Sequence, residues 1–328
     1  MTSLEGQGAS AGKVPVHVSV LGQEVLALLA GDPSERASVD GWFVDGTLGA
    51  GGHAELLLGA CPQLRVLGID QDLEILALAR ERLAPFGDRV RICHGRASQV
   101  AALIDEQALP APRGMLFDLG VSSLQLDRPE RGFAFHSDGP LDMRMDSTRA
   151  RTAAEVINHW DEADLADLFF HEGGETRARR IAQAIAEARR RQPFLRTGAL
   201  ADLIARVAPS GGKTHPATRV FQALRRAVNE EGEELLAALA ASEAVLAEGG
   251  RLGVISFHSG EDGVVKRFLA KGARAGRWRL LTKKPVSASR VEVRANRRAR
   301  SASLRAAVRL QARPDAGRPI PGDSEVTP

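Results

Sequence analysis

The amino-acid sequence predicts an α/β fold in which a doubly wound, Rossmann-like parallel sheet is interrupted by an all-helical insertion. As far as Asp127, short apolar runs of strand length alternate with helical segments of about 10–15 residues, as in strands joined by crossover helices. About a hundred residues with helical spacing alone then follow, and the strand–helix alternation returns after Glu233. A parallel sheet with a helical insertion is the simplest arrangement that accounts for this order.

The first half of the sheet is predicted from four apolar runs bounded by turn residues. These runs predict strands at 42–44, 65–70, 90–93 and 114–118. Asp45, Asp70 and Asp118 stand at the carboxyl ends of three of them. Helical spacing between the runs predicts helices at 23–29, 54–58 and 73–83.

The insertion and the second half of the sheet are predicted in the same way. Helical spacing with Ser, Thr, Gly and Pro between the segments predicts helices at 152–170, 176–191, 197–208 and 218–229. Further helices are expected at 233–247 and 264–270, and strands at 251–256, 278–282 and 303–310. We therefore expect a first part of the sheet domain at 14–127, a helical insertion for substrate recognition at 128–231, a second, basic part at 232–313, and disordered tails at 1–13 and 314–328.

The charge of the chain is distributed unevenly. The 328 residues carry 44 Lys and Arg against 41 Asp and Glu, a formal net charge of +3. Between Lys266 and Arg313 there are 16 Lys and Arg and one acid, Glu292, which puts +15 on this stretch and −12 on the rest. A basic stretch on an acidic body is typical of contact with a polyanion, and we expect nucleic acid rather than a merely solvated face.

Composition also excludes several classes of protein. No apolar run reaches the ~18–20 residues that a membrane span needs, and residues 1–13 lack the apolar stretch of a secretory signal. The two cysteines, Cys61 and Cys93, are too few for a disulfide framework or a four-cysteine zinc site. A soluble, cytoplasmic protein without a metal is therefore expected, and its oligomeric state is left open.

The strongest local motif is a glycine-rich turn between the first strand and its helix. Residues 45–53 read DGTLGAGGH, and glycines here let the backbone approach a ligand that a Cβ would exclude. Asp70, at the end of the second strand, is placed to accept the ribose hydroxyls of an adenosine-containing cofactor. Gly49-x-Gly51-x-x-Ala54 also matches the dinucleotide pattern, so a nicotinamide cofactor and S-adenosylmethionine, with Asp45 near the amino-acid end of the latter, both remain open, as does a plain strand–helix turn.

A second motif favours the methyl donor. Residues 118–127 (DLGVSSLQLD) follow the fourth strand, whose carboxyl end flanks the ligand crevice of a doubly wound sheet. A polar loop of small residues is typical of the place where a methyltransferase holds the group that it methylates. A dehydrogenase needs a positioned His, Lys or Tyr; the chain has no Tyr, although His258 and Lys266 keep that alternative open.

Two more segments are dense in polar side chains. In the segment 132–146 (GFAFHSDGPLDMRMD), Asp142 and Asp146 are either a carboxylate pair or, with Arg144 between them, part of a local salt bridge. In the segment 256–262 (SFHSGED), His258 is equally well explained as a helix cap and as a site residue.

Taken together, these blocks resemble the bacterial ribosomal small-subunit methyltransferase H family. The resemblance extends from about His17 to Arg309 and rests on six ordered blocks, at 45–53, 118–127, 131–135, 138–146, 215–223 and 256–259. It implies a class I S-adenosylmethionine-dependent methyltransferase fold that methylates N4 of a single cytidine at the ribosomal P site. The implied partner is 16S rRNA within the small ribosomal subunit.

The resemblance also implies site residues. The implied cofactor contacts are Gly51, Gly52, His53, Asp70, Ala97, Asp118 and Gln125. At Ala97 many members have a larger, often aromatic residue, and Gly260 and Arg297 also depart from the family pattern.

The chemistry of an exocyclic amine predicts a hydrogen-bond acceptor on its N–H group. The candidates are Asp118, the Ser122/Ser123 loop and, less centrally, Asp142. Because no aromatic residue follows Asp118 directly, the residue that stacks on the base is sought at Phe133, Phe135 or Trp160. A nicotinamide-dependent oxidoreductase, a non-catalytic RNA-binding assembly factor and a DNA amino-methyltransferase are the competing hypotheses.

Overall fold

The structure, a computed structural model, describes residues 19–209 and 215–310, with the backbone alone at Ser123. The tails predicted at 1–13 and 314–328 lie outside these residues. Eight strands form one sheet: β1 Gly41–Asp45, β2 Leu64–Asp70, β3 Val90–His94, β4 Gly114–Asp118, β5 Arg251–Ser256, β6 Trp278–Leu280, β7 Val286–Ser287 and β8 Ser303–Arg309. Seven of the eight were predicted, and β7, only two residues long, was not.

The strand order is β3-β2-β1-β4-β5-β8-β6, with β7 also paired to β8. Strands β1 to β5 are parallel, whereas β8 runs antiparallel to β5, and β6 and β7 run antiparallel to β8. Successive strands are added on one side of β1 as far as β3 and on its other side from β4 onward. The carboxyl ends of β1 and β4 therefore form the crevice where doubly wound sheets bind ligands. The predicted Rossmann-like fold class is confirmed.

Helices cover both faces of the sheet and form the insertion. They are α1 Gly22–Val25, α2 Gly52–Ala60, α3 Leu73–Leu83, α4 Val100–Glu106, α5 Ser123–Asp127, α6 Ala153–His159, α7 Glu162–His171, α8 Ala178–Arg189, α9 Thr197–Val207, α10 Thr218–Asn229, α11 Glu231–Val245, α12 Ser259–Arg274 and α13 Arg290–Ala295. The prediction of a single helix at 152–170 is wrong. This segment forms two helices, because the backbone is extended at Trp160 (ψ 149°) and Asp161 (ψ 153°), and Asp161 is the N-cap residue of the second helix.

Alternation along the strands divides the core between the two faces of the sheet. In β1, Phe43 belongs to one apolar cluster, with α2 and α3, whereas Trp42 and Val44 belong to another, with α11 and α12. Helices α6 to α10 enclose a third cluster that contains no strand residue and is built around Phe169 and Ile181. The helical insertion therefore has its own core; its predicted bounds at 128 and 231 stay a prediction. No helix within the described ranges combines the length and apolar character needed to cross a membrane.

Candidate functional site

A cavity of about 770 Å³ opens at the carboxyl ends of the central parallel strands. Its walls come from several parts of the chain, among them the turn after β1, the segments after β2 and β3, the loops after β4 and β5, and the facing sides of α10 and α11. Residues 295–301 contribute Ala295, Asn296, Arg298 and Ser301. The sheet and the insertion thus both contribute to one cavity.

The glycine-rich turn forms the floor of this cavity. A Cβ on Gly46 would lie 2.4 Å from the Phe117 ring, so only glycine allows the turn to pass this close to β4. Gly51 has a φ of 82° and begins α2, and a Cβ on Gly52 would meet the Ser19 hydroxyl at 2.3 Å. The turn is therefore held against the sheet by close approach.

Asp70 fixes the turn from the neighbouring strand. Its carboxylate accepts hydrogen bonds from the backbone N–H of Gly49 (2.8 Å) and of Asp72 (2.9 Å), and it lines the cavity. Burial raises the pKa of Asp70 to about 6, against the lowering effect of those hydrogen bonds. Each oxygen still has a free lone pair with which to accept a ligand hydroxyl.

Beneath the turn, Asp45, His53 and Asp118 form a buried cluster of titratable groups. His53 Nε2 lies 3.4 Å from Asp118 Oδ2. Among the described residues, Asp45 Oδ2, both His53 ring nitrogens and Asp118 Oδ1 have no hydrogen-bond partner. Unpaired polar atoms in a buried position are costly, and their concentration here marks a site built for a polar ligand or for proton transfer.

The charges of this cluster depend on one another. Burial raises the pKa of Asp45, which is 1% exposed, to about 7, and the nearby Asp118 adds to the rise while His53 opposes it. Burial by itself would lower the pKa of His53, but the contacts with Asp118 and Asp45 outweigh burial and raise it. The cluster therefore favours a protonated His53 beside a carboxylate.

The loop after β4 is fixed by a reciprocal helix cap. Ser122 donates its backbone N–H to Gln125 Oε1 (2.9 Å), and the Gln125 N–H returns a bond to Ser122 Oγ (3.2 Å). Gln125 Nε2 also donates to Asp72 Oδ2 (2.8 Å), which leaves the buried amide largely engaged with the protein. The Asp118 N–H donates to Thr47 Oγ1 (2.5 Å), so this loop and the glycine turn are joined.

The predicted site residues are not all at the cavity. Those that line it are Gly52, His53, Asp70, Ala97, Asp118, Ser122 and Gln125. Asp142 lies elsewhere, paired with Arg144 Nη2 at 2.7 Å. The three proposed stacking residues also lie outside the cavity lining. Phe133 is buried in the core of the insertion, Phe135 packs on His215 and Phe221, and Trp160 packs against the same core.

The region after β5 contributes more than was predicted from the sequence. His258 begins α12, with Nδ1 accepting the Glu261 N–H (3.3 Å), and its Nε2 lies 3.0 Å from Glu261 Oε1. His258 is therefore a helix cap that also lines the cavity, and its role as a site residue stays a prediction. Phe257, Gln222 and Arg225 also line the cavity. Phe257 and Gln222 belong to recognised blocks, whereas Arg225 does not, and no periodic or spacing signal indicated that these side chains share one cavity.

In residues 19–209 and 215–310, no group of three or more His, Cys, Asp or Glu side chains is arranged to hold a metal ion. The basic stretch divides into two kinds of side chain. Arg305 is buried and pairs with Asp262 through two bonds of 2.7 and 2.9 Å, and Arg277 pairs with Glu243. On the outer face of α12, Arg267, Lys271 and Arg274 are exposed, and no salt bridge is found for them within the described part of the chain.

Comparison with known proteins gives consistent matches over nearly the whole chain. Residues 15–310 match the model of the MraW methylase family. Three relatives bear the name ribosomal RNA small subunit methyltransferase H. The one from Methylobacterium sp. (strain 4-46) is 46% identical over 316 residues, covering 90% of this chain and 91% of the relative. Those from Beijerinckia indica and Sorangium cellulosum are 48% and 49% identical, and cover 92% and 90% of this chain and 88% and 91% of the relatives.

Proposed function

The chain belongs to the MraW methylase family, and from this membership and the cavity we propose that it transfers a methyl group from S-adenosylmethionine to N4 of a single cytidine in 16S rRNA, at the P site of the small ribosomal subunit. The observation that carries the proposal is the Asp118 carboxylate, which is 26% exposed and lines the cavity at the switch point of the sheet, beside the glycine turn. Membership in a methylase family does not support the alternative hypothesis of a nicotinamide-dependent oxidoreductase.

The residues at the floor of the cavity fit this cofactor. Gly49 and Gly52 line the cavity without a side chain, so the backbone of the turn faces a ligand directly, and the two Asp70 oxygens are acceptors of the kind that a ribose diol requires. The carboxyl groups of Asp118 and, behind it, Asp45 are of the kind with which an amino-acid ammonium group pairs. Ala97 is a small residue in the cavity wall and would border the adenine without stacking on it. Gly51 and Gln125 act on the same site by shaping the turn and fixing the Ser122 loop.

When bound, the cofactor supplies a methyl group on a positively charged sulfur. The N4 amine of cytosine is a weak nucleophile because its lone pair is delocalised into the ring. Asp118 is the acceptor that we assign to its N–H proton as the new C–N bond forms, since its partly exposed carboxylate lines the cavity. His53 Nε2, 3.4 Å from Asp118 Oδ2, holds that carboxylate in position from behind. Positioning by the fixed loop supplies much of the remaining acceleration.

The surface supports an RNA acceptor. The exposed cations of α12 lie four and three residues apart, at Arg267, Lys271 and Arg274, so their heads share one side of the helix. An arginine and lysine surface of this kind binds phosphates in a salt-dependent manner. A base buried in a folded RNA must be unstacked before it can enter a cavity, which favours the assembled subunit, where the cytidine is held in one conformation.

The test uses small ribosomal subunits that lack this methylation. Purified protein and methyl-labelled S-adenosylmethionine are incubated with these subunits, with protein-free 16S rRNA and with duplex DNA, and the nucleosides are identified by mass spectrometry. Label in N4-methylcytidine at one site of the subunit is expected. Label in DNA establishes the DNA-methyltransferase alternative. Salt-sensitive rRNA binding by folded protein without label establishes the assembly-factor alternative.

A further inference from the structure

The aromatic residues of the chain are few, and two of them line the cavity within the described part of the molecule. These are Phe117 and Phe257. Phe117 is fully buried, and its ring packs against Gly46, so neither face is free for a ligand. Phe257 is half-buried and is therefore the ring that a ligand in the cavity can contact.

Phe257 is held beside the loop that carries Asp118. In the parallel pairing of β4 and β5, Asp118 lies opposite Ile255, and the Leu119 N–H donates to the Ile255 carbonyl at 2.9 Å. Phe257 is two residues farther along the chain. A Cβ on Gly120 would lie 3.6 Å from Phe257 Cδ2, so the ring lies against this loop at van der Waals distance.

The ring is also supported from behind. Phe257 packs against the apolar cluster that contains Ala302 and Leu304. Its backbone N–H donates to Glu261 Oε2 (3.0 Å), and Glu261 is buried and in contact with His258. An aromatic ring fixed on one side and open on the other loses little conformational entropy when a flat ligand stacks on it.

The insertion provides a free amide in the same cavity. Gln222 lies on α10 one turn before Arg225, and both side chains line the cavity. Arg225 is occupied by Glu231 through bonds of 2.7 and 2.8 Å, and Glu261, which supports Phe257, lines the same cavity. In the described residues, the Gln222 amide has no hydrogen-bond partner.

From these positions we propose that the acceptor base binds at the Phe257 end of the cavity, stacked on the open face of that ring, with its pairing edge toward the Gln222 amide. This inference rests on the proposed function and identifies the subsite that presents the cytosine. The oxygen and one N–H of an amide complement the N4 amine and the adjacent N3 of cytosine. The ring fixes the plane of the base, and the adjoining loop brings Asp118 to its amine.

The test compares four variants by methyl transfer to undermethylated small subunits and by S-adenosylmethionine affinity from calorimetry. Phe257→Leu keeps the apolar volume without the π face, and Phe257→Tyr restores the ring. Gln222→Leu removes the amide, and Phe268→Leu is the matched control, since Phe268 packs on Trp278 away from the cavity. Loss of base stacking lowers kcat/KM for subunits by about 10- to 100-fold in Phe257→Leu, and Gln222→Leu lowers it by about 3- to 10-fold. Cofactor affinity stays within about twofold, and Phe257→Tyr and Phe268→Leu stay within about threefold of wild type.

Each outcome separates this inference from the proposed function. If wild-type protein labels cytidine and Phe257→Leu does so within about threefold of the same rate, the subsite is wrong and the function stands. If Phe257→Leu loses cofactor affinity as much as transfer, the ring belongs to the cofactor and the subsite is again wrong. If wild-type protein labels no cytidine, both fail. Should Phe257→Leu not fold, an unchanged kcat/KM in Gln222→Leu overturns the proposed orientation of the base.

Discussion

Two polar clusters of this molecule differ in how completely their hydrogen bonds are satisfied. The site cluster, defined as Asp45, His53, Asp70 and Asp118, leaves several buried atoms without partners among the described residues. The loop cluster, defined as Arg131, Asp138, Asp142 and Arg144, is fully engaged. Arg131 Nη2, for example, bonds Asp72 Oδ2 (2.7 Å) and the carbonyls of Arg144 and Met145. Both clusters are dense in polar residues in the sequence, but only burial without partners separates a reactive site from a structural one.

The two clusters also titrate in opposite directions. In the site cluster, burial raises the pKa of Asp45 to about 7 and of Asp70 to about 6. In the loop cluster, the hydrogen bond from Arg196 lowers the pKa of Asp138. Burial by itself would raise the pKa of Asp142, but Arg144 outweighs it and lowers the value. The protein therefore loses stability from the site cluster as pH rises, and it loses stability from the loop cluster as pH falls.

The largest expected effect is on activity and separates the two clusters directly. Asp118→Asn removes the proposed proton acceptor without changing its size, so we expect kcat to fall about 10²- to 10⁴-fold. The free energy of unfolding should change little, because relief of the repulsion with Asp45 offsets the lost contact with His53. Single-turnover methyl transfer and urea unfolding measure the two effects. A variant that retains a tenth or more of the wild-type rate contradicts the assignment.

Arg131→Leu should give the largest loss of stability. The pair of Arg131 and Asp72 is buried, with side chains 10% and 2% exposed, and removing the cation leaves a buried carboxylate uncompensated. We expect the free energy of unfolding to fall by about 3–5 kcal/mol. Arg128→Leu is the control because Arg128 forms an exposed pair with Glu74, which Arg131 also contacts; it should cost about 1 kcal/mol or less. If urea unfolding shows the same loss of stability for Arg131→Leu and Arg128→Leu, burial of the ion pair is not the cause of the loss.

A smaller effect is expected in the pH dependence of stability. The ordinary pKa of Asp45 is 3.8 and its folded value is about 7, so between these values the folded protein binds more protons than the unfolded chain. The contribution of Asp45 to the free energy of unfolding is therefore fully present below pH 3.8 and is lost as the pH rises through about 7. The free energy of unfolding should fall less steeply with rising pH in Asp45→Asn, by up to about 1.4 kcal/mol per pH unit. Asp70 and His53 keep a slope of the same sign, and an unchanged slope in urea titrations contradicts the placement of Asp45.

The smallest effects are expected at Asp142, the one catalytic candidate that the structure places in the loop cluster. Its pair with Arg144 is partly exposed, with side chains 28% and 23% accessible, so Asp142→Asn should cost about 1 kcal/mol or less. We expect methyl transfer within about twofold of wild type, since solvent-screened pairs contribute little. A loss of rate comparable to that of Asp118→Asn restores Asp142 as a catalytic candidate.

The sheet was more accessible from sequence than the site was. Apolar runs ending in Asp45, Asp70 and Asp118 located the central strands because buried parallel strands have a continuous apolar pattern. The break at Trp160 was missed, since apolar spacing continues through it while the backbone becomes extended. Phe257 and Gln222 lie 35 residues apart, and only the tertiary fold brings both to one cavity.

The antiparallel strand β8 has a consequence for how the protein is made. Strand β8 lies between β5 and β6, so it pairs with residues that leave the ribosome well before it does. Until Ser303–Arg309 emerges, β5 is an unpaired edge whose inner residues, such as Val254 and Ile255, are strongly apolar. Edges of this kind attract other chains. The sheet is therefore completed only after residues 303–309 have been made, and a stop codon before residue 303 removes an inner strand of the sheet.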